Sequence, residues 1–463
     1  MSRQSIVAAT GHEERRPAPR NRGSCVVSCT SMPPSPEGPL QRDLLPDTAE
    51  VAADGRLRVG GVDLVDLAEQ FGTPLFVYDE AHLRARCRAA VAAWGDGVAY
   101  ATKAFLCKAM ARLADEEGMC LDVSTGGELA TALAARVPAN RLVLHGNNKS
   151  DTELADALDA GVGRIVVDSF DEIARLGRLV DDRPAGQERP KVLVRVTPGV
   201  EVHTHEFVRT GQEDTKFGFS VASGAAARAV AALELLPGVS LVGVHAHIGS
   251  QVFDVGHFEQ AAEVLGAFFA PLDLPELVVG GGLGVPYVNG EAAPTQAEWA
   301  AAARQACVAA GVDPATRVTA EPGRSIVATA GITLYRVGTV KELPGIRTYV
   351  AVDGGMSDNP RPVLYGSGYE TFLPREVDAA RPKAARVVGK HCETGDVVVA
   401  DARLPADLAV GDVLATPVTG AYGYSMASNY NKVPRPAVVF VADGRAREVV
   451  RRETFDDLLR LDV

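Results

Sequence analysis

The stretch Val98-Ala99-Tyr100-Ala101-Thr102-Lys103 alternates alanine with Val, Tyr and Thr, the composition of a buried β-strand, and ends on a lysine. Period-two geometry puts Ala99, Ala101 and Lys103 on one face. The amine shares that face with two small side chains, which leaves room for a bulky group beside it. A strand-end lysine ordinarily snorkels to solvent. What gathers on the following strands gives this one a chemical task.

Working outward, strand-like runs recur at 98–103, 120–123, 142–145, 164–167, 191–196, 241–247, 277–280 and 316–320, separated by amphipathic Ala/Leu-rich helical stretches. Eight strands alternating with helices predict an α/β fold built on a (β/α)8 TIM-like barrel over residues 75–330. An open dinucleotide-binding sheet is disfavoured, because Gly280-Gly281-Gly282-Leu283-Gly284-Val285 lacks the last glycine of G-x-G-x-x-G and runs into Pro286. Gly146-Asn147-Asn148-Lys149-Ser150 likewise only mimics a phosphate-binding P-loop, since no glycine precedes its lysine. Beyond residue 330 helical periodicity fades into short β-like runs broken by Gly and Pro. These predict a C-terminal β-rich domain of 331–463, joined by 41–74. Residues 1–40, rich in Pro, Ser and Arg and without periodicity, read as a disordered extension.

With 463 residues and 46% hydrophobic content, the chain is long enough for two cores. A net charge of −12 leaves no basic footprint for nucleic acid. No apolar run reaches the length of a membrane span, and Ile6-Val7-Ala8-Ala9 is too short for a secretory core, so the expected location is the cytoplasm. Seven scattered cysteines argue against a disulfide framework; Cys25 and Cys29 read as incidental.

In such barrels chemistry sits at the C-terminal ends of the strands. The first predicted strand ends at Lys103 and the third at His145-Gly146-Asn147. The sixth runs His245-Ala246-His247 into Ile248-Gly249-Ser250-Gln251, with both histidines on one side. The seventh opens into the glycines of 280–284, whose bare N–H groups can cradle an anion, and the eighth ends in Glu321-Pro322-Gly323-Arg324. Singly each feature is ordinary. Jointly, a lysine nucleophile, a phosphate cradle, an imidazole and a carboxylate describe a pyridoxal phosphate site. In it Glu321 keeps the pyridine nitrogen protonated, so that the ring can take up a carbanion's electron pair.

The chain resembles the diaminopimelate decarboxylases, of the barrel-type pyridoxal phosphate enzymes that include ornithine and arginine decarboxylases and, more remotely, alanine racemase. The resemblance runs from about residue 55 to the C-terminus. Its carriers are Y-A-T-K-A at 100–104, H-G-N-N-K-S at 145–150, H-I-G-S-Q at 247–251, G-G-G-L-G at 280–284 and E-P-G-R at 321–324. Beyond the barrel come D-N-P-R-P-V-L-Y at 358–365, C-E-T-G-D at 392–396 and G-A-Y-G-Y-S-M at 420–426.

The resemblance implies that Lys103 carries the cofactor as an imine and that His247 stacks on its ring. Ser250, Gly281, Gly282, Gly284, the backbone at Gly323 and Arg324, and Tyr422 would hold the phosphate, and Glu321 would meet the ring nitrogen. It further implies that Arg324, Arg361 and Tyr365, with Tyr422, clamp the substrate's distal carboxylate. Glu393 would accept the distal ammonium, and Cys392 would reprotonate the α-carbon. In the family the last two residues reach the partner subunit's cofactor, implying a homodimer with shared sites. Departures are small: Gly389-Lys390-His391 precedes Cys392 where G-P-x is common, and Thr197 stands where Asn is common.

Two arginines and a tyrosine beside Glu393 suit a distal end carrying both charges, whereas a diamine-forming enzyme needs only an acidic far pocket. The expected reaction is therefore decarboxylation of meso-2,6-diaminopimelate to L-lysine and CO2. The nearest alternative is another basic amino-acid decarboxylase of the same fold. A metal-dependent hydrolase using His245-x-His247 is more remote, because such barrels place that pair on the first strand. No resident metal is expected.

Overall fold

The computed structural model describes residues 39–184, 186–199 and 214–463. The disordered extension expected over 1–40 lies outside the described residues except for its last two, and of these Leu40 is buried in the core.

The expected eight strands form one parallel ladder. They are β1 (Ala99–Ala101), β2 (Cys120–Val123), β3 (Leu142–Leu144), β4 (Arg164–Val167), β5 (Lys191–Thr197), β6 (Ser240–Ala246), β7 (Glu276–Val278) and β8 (Arg317–Thr319), paired in chain order. The two edges meet: Ala99 N–H donates to Ala320 C=O at 3.0 Å and Ala101 N–H to Pro322 C=O at 3.1 Å. The strands thus close into a barrel, which leaves no edge exposed. Helices on the outside start where the sequence signals them. Ser150 with Glu153 and Thr295 with Glu298 each form a reciprocal capping box, which satisfies N–H groups that a helix start leaves unpaired. Inside, Ala99, Cys120, Val143, Val166, Leu193, Val242 and Val278, one from each of seven strands, make a separate apolar layer that fills the barrel.

Five strands stop one or two residues short of their expected ends, the first, third, sixth, seventh and eighth, and two of these corrections move site residues. Lys103 does not continue β1 but sits in a helical turn, Thr102–Ala104, because the Thr102 hydroxyl donates to Asp122 C=O at 2.7 Å and draws the chain out of the ladder. β6 stops at Ala246, so His245 belongs to the strand and His247 to the loop beyond it.

The second sheet is organised on the long strand Gly331–Leu343, which follows the barrel directly. It pairs antiparallel with Arg347–Val352, Val413–Pro417 and Leu75–Asp79. Leu75–Asp79, expected to open the barrel, is therefore a fully buried strand of the second sheet, with Ala437–Ala442 parallel on its other side. The barrel's elements begin after it, at helix Glu80–Trp94.

The two parts meet behind the lysine turn. Phe105 stacks on Tyr78 at 4.3 Å between ring centroids, and Phe440 packs against both. Tyr100 Oη donates to Phe105 C=O at 2.6 Å, and Tyr422 N–H donates to Ala104 C=O at 2.8 Å. Lys103 is thereby held on an aromatic base shared by both sheets.

Candidate active site

A cavity of about 340 Å³ opens at the C-terminal ends of the barrel strands, and its wall includes Lys103, His247, Ser250, Glu321, Arg324 and Tyr422. These six residues, brought from separate stretches of the chain, line the same cavity.

Glu321 follows β8 and is buried. Its Oε1 lies 2.9 Å from His145 Nε2 and its Oε2 2.8 Å from His245 Nε2. Burial alone would push its pKa up, but the two imidazoles outweigh burial and hold it well below the usual carboxylate range. Asp122 on β2 lies 3.6 Å from His145, and burial raises its carboxyl to about 6.

His247 accepts a hydrogen bond on Nδ1 from Gly281 N–H at 3.0 Å. Burial, then the charges of Lys103 and Arg195, keep this ring well below the ordinary histidine value, and so neutral. The pair His245-x-His247 proposed as metal ligands is thus divided between Glu321 and Gly281. The three ligand atoms that lie within 4.8 Å of one another belong to His145, His245 and Glu321.

The glycine turn is too tight for side chains. A Cβ on Gly281 would stand 2.4 Å from Glu321 O, and one on Gly282, whose φ is +123°, would stand 2.5 Å from Gly249 O. The turn is laced to the 247–252 loop by Val252 N–H to Gly282 C=O and Gly284 N–H to Val252 C=O, both 2.9 Å. Gly281 and Gly282 line the cavity; Gly284 does not and lies behind them. Gly323 also lines it, packed against Ala101.

Arg324 and Arg361 are both buried. Arg324 donates to Ser250 Oγ at 2.9 Å and to Tyr287 Oη at 2.6 Å, and its guanidinium lies 4.8 Å from the Tyr422 ring centroid. Arg361 donates to Tyr369 Oη at 2.6 Å and lies 4.3 Å from the centroid of Tyr287. The buried Nε of Arg324 has no hydrogen-bond partner among the described residues.

Besides Gly284, four expected site residues do not line the cavity: Arg361, Tyr365, Cys392 and Glu393. Tyr365 ends the short helix Arg361–Tyr365 and is half-buried, while Tyr369 accepts the hydrogen bond from Arg361. Cys392 and Glu393 are exposed on a turn of the second sheet and do not line the cavity of their own chain. That turn is fixed by His391, whose N–H donates to Asp396 and whose Nε2 lies 2.8 Å from Ser357 Oγ.

Asp122, Arg195, Tyr287 and Tyr369 were not picked out from the sequence as site residues, and His145 and His245 were noted without a role. For Asp122, His145 and His245 a signal existed, since each falls within or at the end of a predicted barrel strand. Tyr287 and Tyr369 lie in irregular segments that carry no such signal. Lys149 of the P-loop mimic is structural: it is buried, 2.8 Å from Glu172, and donates to Gly146 and Val166 carbonyls.

Residues 80–328 match the family model described as pyridoxal-dependent decarboxylase, pyridoxal binding domain. The chain is 50% identical over 429 residues to the diaminopimelate decarboxylase of Mycobacterium tuberculosis (strain ATCC 25618 / H37Rv), covering 88% of this chain and 95% of that protein. Identity to the Bacillus subtilis (strain 168) diaminopimelate decarboxylase is 47% over 427 residues, with 88% and 95% covered. The crystal structure of the M. jannaschii diaminopimelate decarboxylase in complex with L-lysine superposes with a TM-score of 0.83 at 34% identity, covering 90% of this chain and 98% of that one.

Proposed function

Because this chain belongs to the diaminopimelate decarboxylase family, we propose that it converts meso-2,6-diaminopimelate to L-lysine and CO2 with pyridoxal 5'-phosphate held on Lys103. The observation that carries the substrate assignment is the pair of buried guanidiniums, Arg324 and Arg361. Neither has a carboxylate within salt-bridge distance among the described residues, and tyrosine hydroxyls and Ser250 are their hydrogen-bond partners. Buried cations so arranged call for an anion from outside the chain.

The residues present fit the cofactor. Gly281 and Gly282 form a cradle that any Cβ would fill, Arg324 Nε is an orphaned buried donor beside Ser250, and Lys103 and Glu321 share one cavity. Bound there, pyridoxal phosphate supplies an electron sink for the pair left on carbon when CO2 departs. Gly281, Gly282, Gly284, Ser250, Tyr422 and the backbone at Gly323 and Arg324 would hold the phosphate. Neutral His247 would lie against the ring, and ionised Glu321 would keep the ring nitrogen protonated.

Arg324 and Arg361, with Tyr365 and Tyr422, orient the substrate through its distal carboxylate, and Glu393 takes the distal ammonium. Cys392 delivers a proton from its thiol to the carbon that lost CO2, and solvent restores that proton. Since Cys392 and Glu393 are exposed and away from the cavity of their own chain, this reading assigns them to the site of a second copy, so that the active unit is a homodimer. A substrate lacking the distal carboxylate would leave buried guanidiniums unmatched, at a cost of roughly 3–5 kcal/mol, or about two to four powers of ten in selectivity.

A cytoplasmic location belongs to the same reading. The five described cysteines are all unpaired, as a reducing compartment keeps them, and no described helix is long and apolar enough to cross a membrane. Release of CO2 from meso-diaminopimelate, ornithine, arginine and lysine, compared side by side, tests the assignment. Diaminopimelate should be fastest by a wide margin; faster turnover of ornithine would overturn it.

A further inference from the structure

The carboxylate of Glu321 is held by three strands at once. His145, directly after β3, meets Oε1 at 2.9 Å, while His245, near the end of β6, meets Oε2 at 2.8 Å. The two rings stand 4.9 Å apart at 65°, so each reaches its own oxygen without competing for the other. All three side chains are buried. A carboxylate so placed and left alone would take up a proton, and its terminal torsion would be soft. The His245 hydrogen bond to one oxygen and the close His145 ion pair at the other oppose both. They favour the charged form and leave the remaining lone pairs pointing in set directions.

We propose that His145 and His245 are positioning residues for the electron sink: by pinning both oxygens of Glu321 they keep the shared proton on the cofactor's ring nitrogen rather than on the carboxylate. The proposal rests on the cofactor reading above. The two arms differ in kind. His145 turns the same Nε2 toward Asp122, at 3.6 Å; burial alone would lower its value, but Asp122 and Glu321 together outweigh burial and raise it, so this arm acts through charge. His245 has no such partner; burial carries it down to about 4, so it is a neutral donor. Arg195 on β5, Lys103 after β1, His247 after β6 and Glu128 of the helix Gly126–Ala134 complete the ionisable groups acting on this cluster.

For the proton shared between Glu321 and the ring nitrogen, loss of either arm, the His245 hydrogen bond or the His145 charge, has the same sign. Removing a hydrogen bond, or a positive charge nearer the carboxylate than the ring, moves the proton toward Glu321. The test uses full-length wild type, His145→Phe, His245→Phe, the corresponding Gln variants, and Glu321→Gln. Each is loaded with pyridoxal phosphate carrying 15N in the ring and observed by NMR at fixed pH. Borohydride reduction and peptide mapping run in parallel.

The expected result is a protonated ring nitrogen in wild type and a resonance displaced toward the unprotonated position in both Phe variants. His245→Gln, which keeps a donor and changes no charge, should remain near wild type. Lys103 should be labelled in every variant. Wild-type resonances in both Phe variants, with Glu321→Gln displaced, would overturn this proposal and leave the cofactor reading standing. Absence of label on Lys103 in wild type would overturn both. Should the Phe variants fail to fold, His145→Gln, which removes the charge, should displace the resonance toward the unprotonated position, and an unmoved resonance there would overturn the proposal.

Discussion

Arg361 donates to the Tyr369 hydroxyl at 2.6 Å, and the ring centroid of Tyr287, whose own hydroxyl accepts from Arg324, lies 4.3 Å from the same guanidinium. Aromatic faces and a phenol can hold an arginine in place without neutralising it. The charge therefore stays available to a ligand. Arg361→Ala should raise KM for diaminopimelate by roughly 100-fold or more while leaving cofactor affinity within about threefold, since removal of one partner of a buried charge pair costs about 3–5 kcal/mol. Tyr369→Phe should raise KM about tenfold, as one hydrogen bond to a charged group is worth roughly 1.5–3 kcal/mol. Steady-state kinetics with a cofactor titration check both. Equal loss of substrate and cofactor binding would make the arginine a scaffold residue.

Cys392→Ala should load with cofactor like wild type and lose about 10²–10⁴-fold in kcat, the range for removing a positioned proton donor. The thiol is exposed on its own chain and remote from that chain's cavity. Mixing Cys392→Ala subunits with Lys103→Ala subunits, each inactive alone, should therefore restore activity through mixed dimers that assemble one intact site. Failure to recover activity after subunit exchange would put the donor and the lysine in one chain.

Gly282 has φ +123°, and a Cβ there would stand 2.5 Å from Gly249 O, a backbone atom that cannot swing aside. Gly282→Ala should cost more than about 2 kcal/mol of stability from strain and overpacking together, and it should weaken cofactor binding because the turn is displaced. Thermal unfolding and a fluorescence titration with pyridoxal phosphate check the pair of effects.

Asp358 is a buried acid outside the cavity wall, with Tyr335 Oη donating to one oxygen at 2.6 Å and Gly355 N–H to the other at 2.8 Å. Burial outweighs these bonds and raises its carboxyl from 3.8 to about 7. The folded state therefore binds a proton that the unfolded state has released. The stability this confers is fully present below the unfolded value and is lost as pH rises through the folded one. Between pH 5 and 8 the loss is on the order of 2 kcal/mol. Asp358→Asn, in which the Tyr335 hydroxyl can turn to accept, should flatten that part of the stability profile in urea unfolding. An unchanged profile would mean the acid is ionised throughout.

The barrel was legible because its strands are short, buried and separated by helical stretches, and because the residues at their ends are chemically unusual. Lys103, His247, Glu321 and the glycine turn could be read from position alone. The exact ends were not, since Thr102 bonds across to Asp122 C=O and converts the expected last strand residues into a turn, an interaction between residues 20 apart. The barrel's lower bound of 75 takes in Leu75–Asp79, a strand of the second sheet, for a related reason: a buried strand shows the same apolar run whichever neighbours it has, and its partners lie hundreds of residues away. Tyr287 and Tyr369 were invisible because they act by packing against arginines from irregular segments. The roles of His145 and His245 become apparent only when β3, β6 and β8 are brought onto one carboxylate.

The central claim is that the cofactor is bound covalently by Lys103. The most direct test is reduction of the purified protein, saturated with pyridoxal phosphate, by borohydride, followed by mass mapping of the peptides. A single pyridoxyl label on the peptide carrying Lys103, appearing as the visible absorbance disappears, is the predicted result. A label on any other lysine, or none at all, would contradict the account.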